Sequence, residues 1–185
     1  TTGTTTYFRP DSTIFTTLNY NFERLASRIR ELSFLNKGLT LTLKDYRTAD
    51  EKQEPITEKF FSTGGLVEFV NYLDGTRVKL IPDPIFFECS KTAAETNAII
   101  PVQVAMTYNT GFTENVHSYV NNINTHEGGT HISGYRRALT RCLKNYAEKS
   151  GQLAKIKFEI SGDDFREGLT AVISVKVPEP QFEGQ

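Results

Sequence analysis

Four cations on one predicted helix are the side chains of this 185-residue chain best placed to do chemistry. At about 100° per residue, Arg137, Arg141 and Lys144 share one side, whereas Arg136 lands at its border, next to Leu143 and Ala147. Their chemistry would be electrostatic. Three basic residues on an outward face are by default a solvated surface, but the same stripe is also what tracks the phosphates of a nucleic acid. Contacts of that kind avoid base edges, so binding through them is weak, indifferent to sequence and steeply salt-dependent. Arg136, beside the apolar stripe, is expected to be held by packing.

Two further clusters invite a site and do not fit one. His126 and His131 lie five apart around Gly128-Gly129, with Glu127 beside them and His117 in a strand pattern. Zinc ligands want spacings of two to four or a single helical face, so turn and cap hydrogen bonds suit these side chains better. Asp163, Asp164, Arg166 and Glu167 could be imagined around magnesium or as a carboxylate pair for acid and base work. Their setting, Gly162-Asp163-Asp164 and Glu167-Gly168, has hairpin-turn composition, and Arg166 can neutralise its neighbours. No glycine-rich phosphate cradle, nucleophile elbow or partnered histidine base occurs, so no catalytic residue is expected in this chain.

Composition sets the outer limits. Lys and Arg total 21 against 22 Asp and Glu, a net charge of −1, so any nucleic-acid surface must be local. Two cysteines, Cys89 and Cys142, cannot make a disulfide framework, and Cys142 falls on the apolar helix stripe, where a buried free thiol is expected. No apolar run approaches the roughly 18 residues of a membrane span, and residues 1–10 lack a signal peptide's basic and apolar regions. A soluble protein of a reducing cytoplasm is expected, with no membrane partner.

The elements that must position the cations follow from periodicity. Residues 4–9 read as an opening strand, with Thr2 to Phe8 already strand-like and no methionine before them, as in an excised piece. Phe22, Leu25, Ile29 and Leu32 predict a helix capped by Asn19 or Asn21 and ended by Asn36 and Gly38. Strands are expected at 39–43 and 57–62, joined by a solvated tip at 46–55, and a short helix over Leu66, Phe69, Val70 and Leu73 closed by Asp74-Gly75. Strand patterns at 85–90, 99–108 and 113–120 follow, with Asn109-Thr110-Gly111 as a hairpin turn between the last two. Ile132, Tyr135, Leu139, Cys142, Leu143 and Tyr146 make the stripe of the long helix. Ile156, Phe158 and Ile160 then alternate, and residues 169–177 are apolar nearly throughout, as in a central strand covered on both sides. The order predicts an α+β sandwich, a mixed β-sheet packed with helices, in one domain or one and a half.

Residues 122–141, NINTHEGGTHISGYRRALTR, resemble the segment that opens the long helix of the transducer domain in the DNA gyrase B family of type IIA topoisomerases. Residues 28–36 (RIRELSFLN), 162–177 (GDDFREGLTAVISVKV), 180–185 (PQFEGQ) and 9–15 (RPDSTIF) agree with the same family in the same order, so the resemblance covers the whole chain. It implies a transducer domain over 1–185, with 1–16 an opening strand and linker from an ATP-binding domain and 178–185 the start of a nucleotide-sensing loop. It implies a fold shared with small-metabolite kinases and the second domain of a small-subunit ribosomal protein, with a left-handed βαβ crossover where the general rule would give a right-handed one. Gln185 would reach the γ-phosphate of ATP bound, with Mg2+, by the preceding domain, together with a lysine that this chain stops short of. Arg136, Arg137, Arg141 and Lys144 would face double-stranded DNA in a cavity lined by two copies, with Arg136 coupling DNA to ATP hydrolysis. The implied partners are double-stranded DNA, the gyrase A protein and a second copy of the gyrase B protein, and the implied activity is ATP-driven negative supercoiling, with this piece inactive alone. The equivalent piece of topoisomerase IV, a free-standing nucleic-acid-binding module and a small-molecule kinase lacking its phosphate loop are the alternatives.

Overall fold

The computed structural model describes residues 3–47, 54–93, 96–152, 154 and 159–182. In chain order its elements are α1 (Phe22–Leu35), β1 (Leu41–Asp45), β2 (Ile56–Phe60), α2 (Leu66–Asp74), β3 (Ile85–Thr92), β4 (Ile99–Tyr108), β5 (Asn115–Val120), β6 (Ile123–Asn124), α3 (Thr130–Lys149) and β7 (Leu169–Val175).

Local chemistry sets the ends of the first two helices. Asn21 caps α1, its side-chain oxygen accepting from Arg24 N at 2.9 Å, and Asn36 closes it by donating from its amide to Leu32 O at 2.7 Å. At α2 the Glu68 carboxylate reaches back to Ser62 Oγ (2.6 Å), Thr63 Oγ1 (3.1 Å) and Gly64 N (2.8 Å). The Ser62 hydroxyl bond is the chief reason its carboxyl sits below the usual range. The N-cap, Gly65, has no side chain to cap with, and its own N–H donates to Ser62 Oγ at 2.8 Å. The β1–β2 hairpin is fastened to α1 by Arg30, which pairs with Glu58 and lies over the rings of Phe60 and Tyr72 at 5.3 and 5.7 Å.

A five-stranded sheet in the order β3-β4-β7-β5-β6 forms the middle layer, antiparallel except where β5 runs parallel to β7. Alternation divides its side chains. Val172, Ala105 and Tyr119 face α1 and α2, packing with Leu35, Leu66, Phe69 and Val70; the Phe69 ring sits 5.0 Å from Phe34 and 5.8 Å from Tyr119. Val104, Leu169, Ala171 and Ile173 face the other way, toward Tyr135 and Leu139 of α3. All seven residues of β7 are buried, and each large aliphatic among them contributes about 1.5–3 kcal/mol. The α+β sandwich and the doubly covered central strand read from the sequence are therefore the architecture found.

Several expectations need correction. The opening strand does not form: residues 3–9 are exposed and have no ladder partner among the described residues, and β-propensity without a partner strand makes no sheet. Asn109-Thr110-Gly111 is not a hairpin turn, because β7 lies between β4 and β5. The segment instead passes over the start of β7, with Asn109 N donating to Gly168 O at 2.9 Å. Gly168 permits that approach: it has φ +68°, and a Cβ there would stand 2.3 Å from Asn109 O. Cys142 is exposed, not buried, since the residues that carry α3 onto the sheet are Ile132, Tyr135, Leu139 and Leu143, and Cys142 falls at the edge of that stripe. The alternation at Ile156 and Phe158, most of the tip 46–55, and Gln185 lie outside the described residues.

Candidate nucleic-acid interface

The basic helix is mounted at its start and along one side. Gly128 and Gly129, at φ +89° and +140°, turn the chain into α3. His131 in the first turn then contacts Thr125 Oγ1 at 3.0 Å, and Thr125 in turn donates to Ser118 O of β5 at 3.1 Å. Burial holds the His131 imidazole below its usual pKa. His117 faces the other side of the sheet, where its Nε2 lies 3.1 Å from Asn115 Oδ1. Among the described residues no three His, Cys, Asp or Glu side chains converge as metal ligands.

Along its length α3 rests on Met106, Val116, Leu169 and Ala171, and the Tyr135 hydroxyl donates to Met106 Sδ at 3.2 Å. With that side fixed, Arg137, Arg141 and Lys144 are exposed on the opposite one, as their spacing predicted. Arg136 is half-buried at the border, but an ion pair holds it: its Nε donates to Glu114 Oε1 at 2.7 Å.

The structure adds two residues that helical periodicity did not supply. Arg166, in the 3-10 turn Asp164–Arg166 ahead of β7, points back toward α3 and places its Nε 3.4 Å from Glu114 Oε2. Its NH1 donates to Gly162 O at 2.8 Å and to Thr140 Oγ1 of α3 at 3.4 Å, and its NH2 pairs with Asp163. The turn itself is pinned by Tyr108, whose hydroxyl donates to Phe165 O at 2.8 Å, and by Asp164, which accepts from Ser161 N at 2.6 Å. Asp163, Asp164 and Arg166 thus form a 3-10 turn and not the hairpin turn expected of them, because β7 pairs with β4 and β5. Neighbouring carboxylates explain only part of Arg166's role, and no local pattern could have paired it with a glutamate far back in the chain.

Arg136, Arg137, Arg141, Lys144 and Arg166 together line a shallow hollow of about 540 Å³, with the hydroxyls of Ser133 and Thr140 between them. Among the described residues no carboxylate lines it, and Glu114 pairs with two of its cations. Clustered guanidinium and ammonium groups on a rigid helix are suited to a polyanion's backbone.

A family model described as DNA gyrase B matches residues 65–185. The DNA gyrase B protein of Eisenibacter elegans is 63% identical over 184 residues, covering 100% of this chain and 37% of that protein. Its counterpart from Cytophaga hutchinsonii is 62% identical over 183 residues, covering 99% of this chain and again 37% of the relative. The chain thus spans little more than a third of the length of these two curated relatives. Among solved structures, the 43K ATPase domain of Thermus thermophilus gyrase B aligns with TM-score 0.74 and 34% identity, over 95% of this chain and 44% of that one. The topoisomerase IV ATP-binding domain of Francisella tularensis aligns with TM-score 0.65 and 25% identity, over 95% and 44%. The chain belongs to the DNA gyrase B family.

Proposed function

We propose that this chain is the transducer domain of a gyrase B protein, extending over residues 1–185, with 1–16 leading in from an ATP-binding domain and 178–185 beginning a nucleotide-sensing loop. Its work is to couple ATP binding and hydrolysis next door to the passage of double-stranded DNA, and so to negative supercoiling, in a cytoplasmic assembly with the gyrase A protein and a second copy of the gyrase B protein. Topoisomerase IV is the less favoured reading: the Thermus gyrase structure is the nearer of the two just described in both identity and fold.

The observation that carries the proposal is the hollow on α3, where five cations stand together on a chain whose net charge is only −1. DNA would meet this face through phosphates alone, which suits a segment that must pass through irrespective of sequence. Arg136 suits the coupling role because it is the cation of α3 tied to a second element. ATP and Mg2+ belong to the neighbouring domain in this reading. Among the described residues no cluster of carboxylates is fit to hold a divalent ion. The fragment by itself would be inactive.

The test is the salt dependence of DNA binding by the intact gyrase B protein. Replacing Arg137, Arg141 and Lys144 by Gln removes three phosphate contacts and should lower the slope of log K against log salt by about 2.7. A slope equal to that of the wild type would mean that the stripe is solvated surface and would remove the basis of the proposal.

A further inference from the structure

Glu114 stands between two guanidiniums that both reach the basic hollow, and it satisfies them unequally. Arg136 receives a well-formed hydrogen bond at 2.7 Å, whereas Arg166 Nε, 3.4 Å from the other carboxylate oxygen, lacks hydrogen-bond geometry. That N–H is buried and has no acceptor among the described residues. The rest of the Arg166 guanidinium is fixed by Gly162 O and by Asp163, whose side chain is 88% exposed. Only 16% of the Arg166 side chain is exposed, against 42% for Arg136 and 25% for Glu114. One negative charge is thus shared by two cations, one of which keeps a buried N–H beside Glu114 without an acceptor among the described residues.

We propose that Arg166 is a fifth phosphate-binding cation of this face, and that Glu114 is a built-in competitor that occupies Arg136 and Arg166 until a DNA phosphate displaces it. The proposal rests on the reading of α3 as a DNA-facing surface and adds to it a residue from another element and a restraint. A phosphate oxygen meets the same donors as the carboxylate and can satisfy the Arg166 N–H that Glu114 leaves unmet. While Glu114 keeps its charge, it also repels the incoming phosphate and lowers the number of effective contacts. A contact contributes about 0.9 to the salt slope, so each one gained or lost changes the ratio of affinities at about 50 and 200 mM salt by about 3.5-fold.

The experiment measures binding of a short linear duplex to the intact gyrase B protein by fluorescence anisotropy across that salt range, in four variants beside the wild type. Arg141→Gln reports on the face itself and should weaken binding several-fold, with a slope lower by about 1. Arg166→Gln should do the same, although it lies in no helix stripe. Glu114→Gln should tighten binding about threefold at 200 mM and raise the slope by about 1. Asp163→Asn, at an exposed position where folding is not at risk, should also tighten binding by freeing Arg166. If Arg141→Gln weakens binding while Glu114→Gln and Asp163→Asn bind as the wild type or more weakly, the competitor role is refuted and the DNA-facing surface stands. An Arg166→Gln variant that binds as the wild type refutes the fifth contact. If Arg141→Gln also has no effect, the surface reading fails and takes this proposal with it.

Discussion

Asp74, the last residue of α2, is fully buried and ties three parts of the chain together, so its removal should cost more than that of any surface ion pair. Its Oδ1 accepts from Asn109 Nδ2 at 2.7 Å and from Thr170 Oγ1 at 2.9 Å, linking the helix to the end of β4 and to the start of β7. Asp74→Ala removes the short acceptor of both donors, leaving Asn109 Nδ2 only a 3.4 Å bond to Thr170 Oγ1. At about 1–3 kcal/mol for each partner deprived in this way, the loss should total about 2–6 kcal/mol. For a chain of this size that lowers the melting temperature by on the order of 10 °C. Asp74→Asn is the informative control. It keeps Oδ1, with its two donors, and changes only Oδ2, which has no partner among the described residues. Its cost should stay near 1 kcal/mol or below. Differential scanning calorimetry of the two variants decides the matter. An Asp74→Ala protein melting within about 2 °C of the wild type would refute the reasoning that this polar cluster, more than the apolar contacts around it, holds β7 in register.

Gly168→Ala should be worse tolerated than an ordinary loop substitution, because its Cβ would overlap the carbonyl oxygens of Asn109 and Gly111 at 2.3 and 2.8 Å in a backbone with φ +68°. A loss of at least about 3 kcal/mol is expected, read by denaturant titration and by faster proteolysis of the segment over β7. The protein should also lose stability as pH falls through the histidine range. Burial lowers the pKa of both His117 and His131, so the unfolded chain, titrating near 6.5, binds protons before the native one does. Stability is then full above about pH 7 and declines below 6.5, and a His117→Gln/His131→Gln protein should show a flatter profile between pH 7.5 and 5.

How much was legible in the sequence depended on whether the signal was local. The caps at Asn21 and Asn36, the glycine after Asp74 and the stripe through Tyr135 and Leu139 depend on neighbours within a turn or two, and the sequence placed them correctly. The unbroken apolar run at β7 announced a strand covered on both faces. Partnership between strands was not legible. Alternation in β4 and β5 says that each is a strand, but not that β7 inserts between them, and that insertion turned an apparent hairpin into a crossing segment. Cys142 shows the same limit on a helix: it falls at the edge of the apolar stripe, and only the packing shows that Leu143, not Cys142, meets the sheet. At the candidate site, Arg137, Arg141 and Lys144 stand outward as their spacing required, whereas the carboxylate that holds Arg136 comes from 22 positions away and is visible only in three dimensions.

Communication between α3 and ATP hydrolysis is the central claim. The most direct measurement is the ratio of ATP hydrolysis rates with and without DNA for the intact gyrase B protein and its DNA-cleaving partner, in wild type and in Arg136→Gln. A ratio in the variant that falls toward one places Arg136 in the coupling path and the basic face against transported DNA. A ratio equal to that of the wild type contradicts the coupling role and leaves Arg136 as a structural partner of Glu114.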